Sequence, residues 1–185
     1  LKCGSCKNRF SNWIPSMPDE VFDHKYVYDE IGFNLKPIEL QSAIGLEQLK
    51  KIKEIDVIRK RNYELLFKIY EKYEKFFHLP RARDKADVSW FAFPLTIRKD
   101  APFSRNDLIS FLEDNLIQTR PYFAGNLLLQ PAYTHLAESN NAMEKFPVAT
   151  FVMTNTFFHG TSPVITPEQI AYIGEQVETF MKRFQ

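Results

Sequence analysis

The sequence has few cysteines, little net charge and no long apolar run, and each absence excludes a class of protein. Its 185 residues include two cysteines, too few for the disulfide framework of a small secreted domain. The 24 Lys and Arg residues are balanced by 23 Asp and Glu residues, which argues against a nucleic-acid-binding protein. No apolar run approaches the roughly 20 residues that span a membrane. We therefore expect a cytoplasmic protein that binds neither nucleic acid nor membrane.

What the chain does have is aromatic residues. Hydrophobic residues make up 44% of it and aromatic residues 15%, with 17 Phe, a composition typical of a globular protein with a Phe-rich core. The length suits one domain that buries a sizeable core. Because residue 1 is Leu and not Met, we expect the chain to be a segment of a longer protein.

Helical and strand patterns alternate along the chain. The periodicity predicts helices over residues 37–55, 57–75, 104–113, 141–151 and 166–184, and strands over residues 88–97, 117–122 and 155–159. Within the longest strand, Pro94 indicates an edge or a bulge. Four apolar residues at helical spacing predict a buried face on the first helix: Leu40, Ala43, Ile44 and Leu46. The order predicts an α/β unit, a small and mostly antiparallel sheet covered by helices on one side and preceded by a long connecting helix.

A tight loop leads into the first helix. Gly32 permits an unusual backbone angle, and Pro37 suits the first helical position. Asn34 and Lys36 are left at the mouth of the loop, beside a helix N-terminus, where a phosphate or another anion is favoured. The alternative is that Asn34 is an ordinary turn residue and Lys36 a solvated charge.

A second dense group of polar residues follows the predicted strand over residues 117–122. Arg120 carries a fixed charge that can grip a carboxylate or phosphate with two parallel hydrogen bonds. Asn126 and Gln130 offer amides suited to sugar hydroxyls, and Gly125 would let the backbone approach a ligand closely. The alternative is an Arg at the end of a strand, followed by a turn and a short amphipathic helix. The residues alone favour neither interpretation.

The two cysteines, Cys3 and Cys6, are spaced C-x-x-C. Such a pair can be half of a zinc site, part of an iron–sulfur site or a redox pair. By spacing alone, we favour reduced thiols without a metal.

Several motifs resemble one enzyme family. The string from Gly32 to Leu46, GFNLKPIELQSAIGL, is similar to a signature of the DegT/DnrJ/EryC1/StrS sugar aminotransferases, fold-type I enzymes that use pyridoxal phosphate (PLP). The resemblance implies the small C-terminal domain of that fold. It also implies a homodimer in which Asn34, with Lys36 beside it, contacts the cofactor phosphate of the partner subunit. The chain would then divide into residues 1–36 with the cofactor loop, connecting helices over 37–75 and the small domain over 76–185.

A narrower resemblance comes from the second polar group. TRPYFAGNLLLQP, which starts at Thr119, is similar to CDP-4-dehydro-6-deoxyglucose 3-dehydrases and related lipopolysaccharide-synthesis proteins. These remove the 3-hydroxyl of a nucleotide-linked 4-keto-6-deoxyhexose with pyridoxamine phosphate (PMP), and a histidine replaces the Schiff-base lysine. That histidine would lie upstream of this chain. The resemblance implies that Arg120, Asn126 and Gln130 bind the nucleotide-linked sugar. The alternatives are a nucleotide-sugar aminotransferase and, in another class, a non-catalytic interaction domain.

The same branch suggests a metal cluster and contains one departure. Its 3-dehydrases carry a [2Fe–2S] cluster and work with an iron–sulfur flavin reductase, and Cys6 matches the last cluster ligand in a C-x-x-R-F string. Relatives usually have Phe-Trp-Ile-Gly where this chain has Phe157-Phe158-His159-Gly160. His159 therefore departs from the pattern at what the resemblance implies is the edge of the active site.

Overall fold

A four-stranded antiparallel sheet organises the fold. The computed structural model describes residues 9–31 and 38–184. The strands β3 (Phe77–His78), β4 (Ala92–Ile97), β5 (Arg120–Pro121) and β6 (Thr156–Gly160) lie in the order β3-β4-β6-β5. β4 pairs with β6 along its first five residues, from Ala92 opposite Gly160 to Thr96 opposite Thr156. The small antiparallel sheet predicted from the sequence is confirmed.

Helices cover the sheet and enclose a Phe-rich core. The helices that contribute to this core are α2 (Ile52–Tyr70), α3 (Arg105–Asp114) and α6 (Pro167–Met181). Phe93, Leu95 and Ile97 alternate along β4 and are fully buried with residues of α2, α3 and α6. Tyr70 of α2 packs against Phe93 at a ring-centroid distance of 5.8 Å. The period-2 pattern of β4 therefore places one face of the strand in the core.

Two helix starts follow directly from local sequence. Asp107 donates its backbone N–H to the Ser104 hydroxyl at 3.2 Å, and its carboxylate accepts from the Ser104 backbone N–H at 2.8 Å. Thr166 and Gln169 make the same reciprocal pair at the start of α6, at 3.3 and 2.9 Å. Both pairs satisfy N–H groups that a helix leaves without partners.

The first helix differs from its prediction. α1 spans Glu39–Leu49, and α2 starts at Ile52 after a break at Lys50 and Lys51. The predicted buried face of α1 is wrong for this chain, because α1 buries no residue and its apolar side chains are exposed. For example, Leu40 is 72% exposed and Ile44 is 64% exposed. No element among the described residues packs over this face.

Pro94 lies at a local edge, as its chemistry requires. β3 pairs only with Thr96 and Ile97 of β4, so the side of β4 that faces β3 is unpaired at Pro94. The missing N–H of Pro94 therefore costs no ladder hydrogen bond. The two-residue strand β3 itself carries too short a pattern to be predicted.

Further short elements lie near the start of the described residues and before β6. β1 (Phe10–Ser11) and β2 (Phe22–Asp23) form an antiparallel ribbon, and α4 (Ala142–Lys145) and α5 (Pro147–Asn155) lead into β6. None of the helices in this described part of the chain is both long and apolar enough to cross a membrane.

The ribbon is anchored by the buried Arg9. Its Nε donates to the Asp23 carboxylate and its Nη2 to the Thr119 carbonyl oxygen, both at 2.8 Å. Its Nη1 lies 3.4 Å from the carboxylate of Glu113 on α3. Because the charge of Arg9 is neutralised by two carboxylates, its burial is tolerated.

Candidate functional site

A cleft of about 440 Å³ opens at the β5–β6 end of the sheet. Its volume is within the range of small-ligand sites, about 300–1,000 Å³. Residues from the short turn after β2, from α2, β5 and β6, and from the connecting loops line it: Tyr26, Arg59, Phe91, Gln118, Arg120, Phe158, Gly160 and Ser162. The cleft therefore combines two cations, aromatic rings and small polar groups.

Arg120 is placed in the cleft by β5. It pairs with Phe158 of β6 in the antiparallel ladder and is partly buried. Across residues 9–31 and 38–184, no hydrogen bond or ion pair engages its guanidinium. The planar fork is therefore available for an anion that accepts two parallel hydrogen bonds.

Arg59 is a second cation that the sequence analysis did not identify. It lies on α2, its Nε is buried without a hydrogen-bond partner, and its guanidinium lies 6.0 Å from the ring centroid of Phe91. Its neighbour Lys60 is neutralised by Asp56 and Asp87, at 2.7 and 2.5 Å. The pKa of the Asp56 carboxyl is lowered mainly by its hydrogen bond with Lys60, then by a hydrogen bond with Ser89, and least by the charge of Arg59. Only the packing of α2 beside β6 brings Arg59 to the cleft, so local spacing could not have revealed it.

Three phenylalanines extend the cleft along the sheet, and we call them the aromatic ledge: Phe91, Phe123 and Phe158. The rings of Phe91 and Phe123 lie 6.1 and 5.9 Å from that of Phe158, measured between centroids. Phe91 is 61% exposed and Phe123 is 51% exposed. The ledge also lines an adjoining, mainly apolar hollow of about 270 Å³.

The two amides expected to contact a sugar lie elsewhere. The Asn126 amide donates to the Ala142 carbonyl oxygen at 3.2 Å. The Gln130 amide donates to the Ala124 carbonyl oxygen at 2.9 Å and accepts from the Tyr28 N–H at 3.2 Å. Both side chains are buried, Gln130 completely. The structure therefore brings Arg120 to the cleft and does not bring these two amides there.

Gly125 has a packing role in the same segment. Its φ is +67°, and an added Cβ would lie 2.4 Å from Cβ and Cγ of Met153. The close approach that the sequence suggested for a ligand is made to Met153. A glycine is needed here for both the backbone angle and the space.

His159 lies in the core, and it is not part of the arginine cleft. Its Nε2 is 2.6 Å from the Tyr70 hydroxyl, and its Nδ1 is buried without a partner. Burial lowers the pKa of His159 to about 4 and raises the pKa of Tyr70. The imidazole is therefore neutral near pH 7, because burial disfavours its charged form.

Three of the sequence-predicted site residues fall outside the part of the chain that the structure describes: Asn34, Lys36 and Cys6. Their predicted roles stay predictions. Within residues 9–31 and 38–184, no group of three or more His, Cys, Asp or Glu side chains could hold a metal ion.

The family to which the chain belongs follows from a sequence comparison. The family model described as the DegT/DnrJ/EryC1/StrS aminotransferase family matches residues 16–178. The chain belongs to this family. Among curated relatives, it is 35% identical over 176 residues to the lipopolysaccharide biosynthesis protein RfbH of Salmonella typhimurium (strain LT2), covering 95% of this chain and 40% of RfbH. It is 34% identical over 179 residues to a dTDP-4-dehydro-2,6-dideoxy-D-glucose 3-dehydratase of Saccharopolyspora spinosa, covering 97% of this chain and 38% of that enzyme.

A solved structure confirms the fold of this DegT/DnrJ/EryC1/StrS chain. The crystal structure is that of a variant of ColD, a protein named as a GDP-4-keto-6-deoxymannose-3-dehydratase. It superposes on the present structure with a TM-score of 0.61 and 26% identity, covering 79% of this chain and 37% of the ColD chain. The expected fold, a domain of a PLP-dependent transferase, is confirmed. The chain spans about 40% of the length of the relatives it matches.

Proposed function

We propose that this chain is the C-terminal part of a PLP- or PMP-dependent nucleotide-sugar 3-dehydratase. Membership of the family supports this, as does similarity to a lipopolysaccharide biosynthesis protein and to an enzyme named as a 3-dehydratase. The substrate we propose is a CDP-linked 4-keto-6-deoxyhexose in lipopolysaccharide or deoxysugar synthesis. The whole enzyme would be a homodimer, and this chain alone would be inactive because the catalytic base belongs to the rest of the protein.

The observation that carries the proposal is the pair of arginines in one cleft. Arg59 and Arg120 both line it, and no described carboxylate forms an ion pair with either. Two guanidinium groups match the charge of a diphosphate, which accepts bidentate hydrogen bonds from each. We assign to them the diphosphate of the nucleotide-linked sugar. Asn126 and Gln130 would act on the substrate indirectly, by holding the segment after β5.

A PLP or PMP phosphate is the other anion that such a cleft could hold. We assign the cofactor phosphate to Asn34 and Lys36, on the basis of the family resemblance. When bound, the cofactor supplies an electron sink for bond cleavage on the sugar. This chain's own residues would bind and orient the nucleotide end of the substrate. We also propose Cys6 as a ligand of a [2Fe–2S] cluster that an iron–sulfur flavin reductase would reduce.

A sugar aminotransferase is the second candidate, because the matched family is described by that activity. The residue at the Schiff-base position of the full-length protein separates the two, a lysine for transamination and a histidine for dehydration.

The test replaces Arg120 by Lys in the full-length protein. Lys keeps the charge but loses the planar guanidinium that can make two parallel hydrogen bonds. We therefore expect the Kd for CDP, measured by calorimetry, to rise at least about tenfold, as for a lost charge-assisted hydrogen bond of about 1.5–3 kcal/mol. Arg83, which is exposed outside the cleft, gives the matched control Arg83→Lys, whose Kd should not change. A weaker affinity for PLP and an unchanged one for CDP would reassign Arg120 to the cofactor. A lower Tm with both affinities unchanged would make Arg120 structural.

A further inference from the structure

We propose that the aromatic ledge of Phe91, Phe123 and Phe158 binds the nucleobase of a nucleoside diphosphate by stacking. The inference rests on the proposed function, because it takes the diphosphate to lie on Arg59 and Arg120. It adds a second subsite on the same surface, one that recognises the base and not the phosphates.

Continuity between the two subsites is the first argument. Phe91 and Phe158 line both the arginine cleft and the adjoining apolar hollow. Arg59 lies 6.0 Å from the Phe91 ring centroid, within cation–π range. When Arg59 holds an anion, the chemical group attached to that anion therefore lies next to the Phe91 ring. In a nucleoside diphosphate, the attached groups are a ribose and a planar base.

The exposure of the ledge is the second argument. Phe91 is 61% exposed and Phe123 is 51% exposed, while Phe158 between them is buried. Apolar rings that lie exposed beside fixed charges are typical of ligand sites. Aromatic side chains stack on any base because every base has a π-face.

The backbone at Phe123 is the third argument. Its φ is +54°, a left-handed conformation that is unusual for a bulky residue. Its N–H bonds to the Pro121 carbonyl oxygen at 2.8 Å, which closes a tight turn directly after Arg120. Strained conformations of this kind persist at binding sites, where they present a side chain. Here the turn places the Phe123 ring against Phe158.

The test compares a ligand that has a base with one that lacks it. In the full-length protein, Phe91→Leu removes an aromatic face and keeps an apolar side chain. We expect the Kd for CDP, measured by calorimetry, to rise at least about fivefold, while the Kd for inorganic diphosphate stays unchanged. Phe146→Leu, at an aromatic residue that is 44% exposed outside the ledge, should leave both values unchanged.

The other outcomes separate the ledge from the proposed function. If Phe91→Leu changes neither Kd while Arg120→Lys weakens CDP binding, the ledge is not a base site and the proposed function stands. If Phe91→Leu lowers the Tm alone, the ledge is covered by the rest of the protein, and the inference is overturned. If wild-type protein binds neither CDP, GDP nor dTDP, the proposed function fails together with the inference.

Discussion

Acidification should destabilise this protein through His159. The imidazole is buried and its pKa is lowered to about 4 from an ordinary value of 6.5. Below pH 6.5 the unfolded chain takes up a proton at this residue, and the folded chain does not until about pH 4. The unfolded state therefore binds more protons across this window, so the free energy of unfolding falls as the pH falls. At about 1.4 kcal/mol per pKa unit, the full loss is about 3 kcal/mol.

A double variant isolates this effect. His159→Leu alone would leave the Tyr70 hydroxyl, which lies 2.6 Å from Nε2, buried without a partner. Replacing both partners by apolar groups avoids that cost, so Tyr70→Phe combined with His159→Leu is the appropriate comparison. Urea unfolding from pH 4 to 7.5 measures the free energy of unfolding of both proteins. We expect the wild type to lose about 3 kcal/mol more than the double variant between pH 6.5 and 4.

If the free energy of unfolding falls equally in the two proteins between pH 6.5 and 4, the reasoning is refuted. Groups other than His159 would then cause the acid sensitivity. The carboxyls with lowered pKa values, Asp56 and Glu168, start from ordinary values of 3.8 and 4.5. Any stability they contribute is lost as the pH falls through their still lower folded pKa values, mainly below the window assigned to His159.

Two further changes should act through packing and charge, measured by urea unfolding at pH 7. Gly125→Ala should cost about 2–4 kcal/mol, because the added Cβ meets Met153 and φ is positive, whereas Gly45→Ala, with open space around it, should be neutral or stabilising. Arg9→Met should cost about 3–5 kcal/mol, because it leaves the Asp23 carboxylate buried without its partner, and adding Asp23→Leu should recover part of that loss. A Gly125→Ala protein as stable as wild type, or a double variant less stable than Arg9→Met, would contradict these assignments.

Features that depend on neighbours in sequence could be predicted, and features that depend on tertiary packing could not. Ser104 and Thr166 start helices through residues three positions away, and both were predicted. Arg120 could be identified because its charge ends a recognisable strand pattern. In the sequence, Arg59 is indistinguishable from the other charged residues on the solvent-exposed face of a helix. Only the packing of α2 beside β6 brings it to the cleft. The opposite error occurred at α1, where the apolar spacing of residues such as Leu40 predicted burial that no described element provides.

The site amides show a different limit. Asn126 and Gln130 have the chemistry to bind a sugar, and the same chemistry satisfies buried backbone groups. Composition and spacing do not distinguish the two uses, because both need an amide after a turn. Only the partners in the fold, the carbonyl oxygens of Ala142 and Ala124, decide between them.

The buried guanidinium of Arg9 has a mechanical consequence for the arginine cleft. It donates hydrogen bonds to the carboxylate of Asp23 in the ribbon and to the carbonyl oxygen of Thr119. Thr119 directly precedes Arg120 in the sequence. Glu113 closes the arrangement by accepting from the Thr119 N–H at 2.6 Å. Short and largely buried hydrogen bonds therefore connect the ribbon to the strand that carries Arg120. The position of the β5 edge of the sheet is therefore coupled to that of the ribbon.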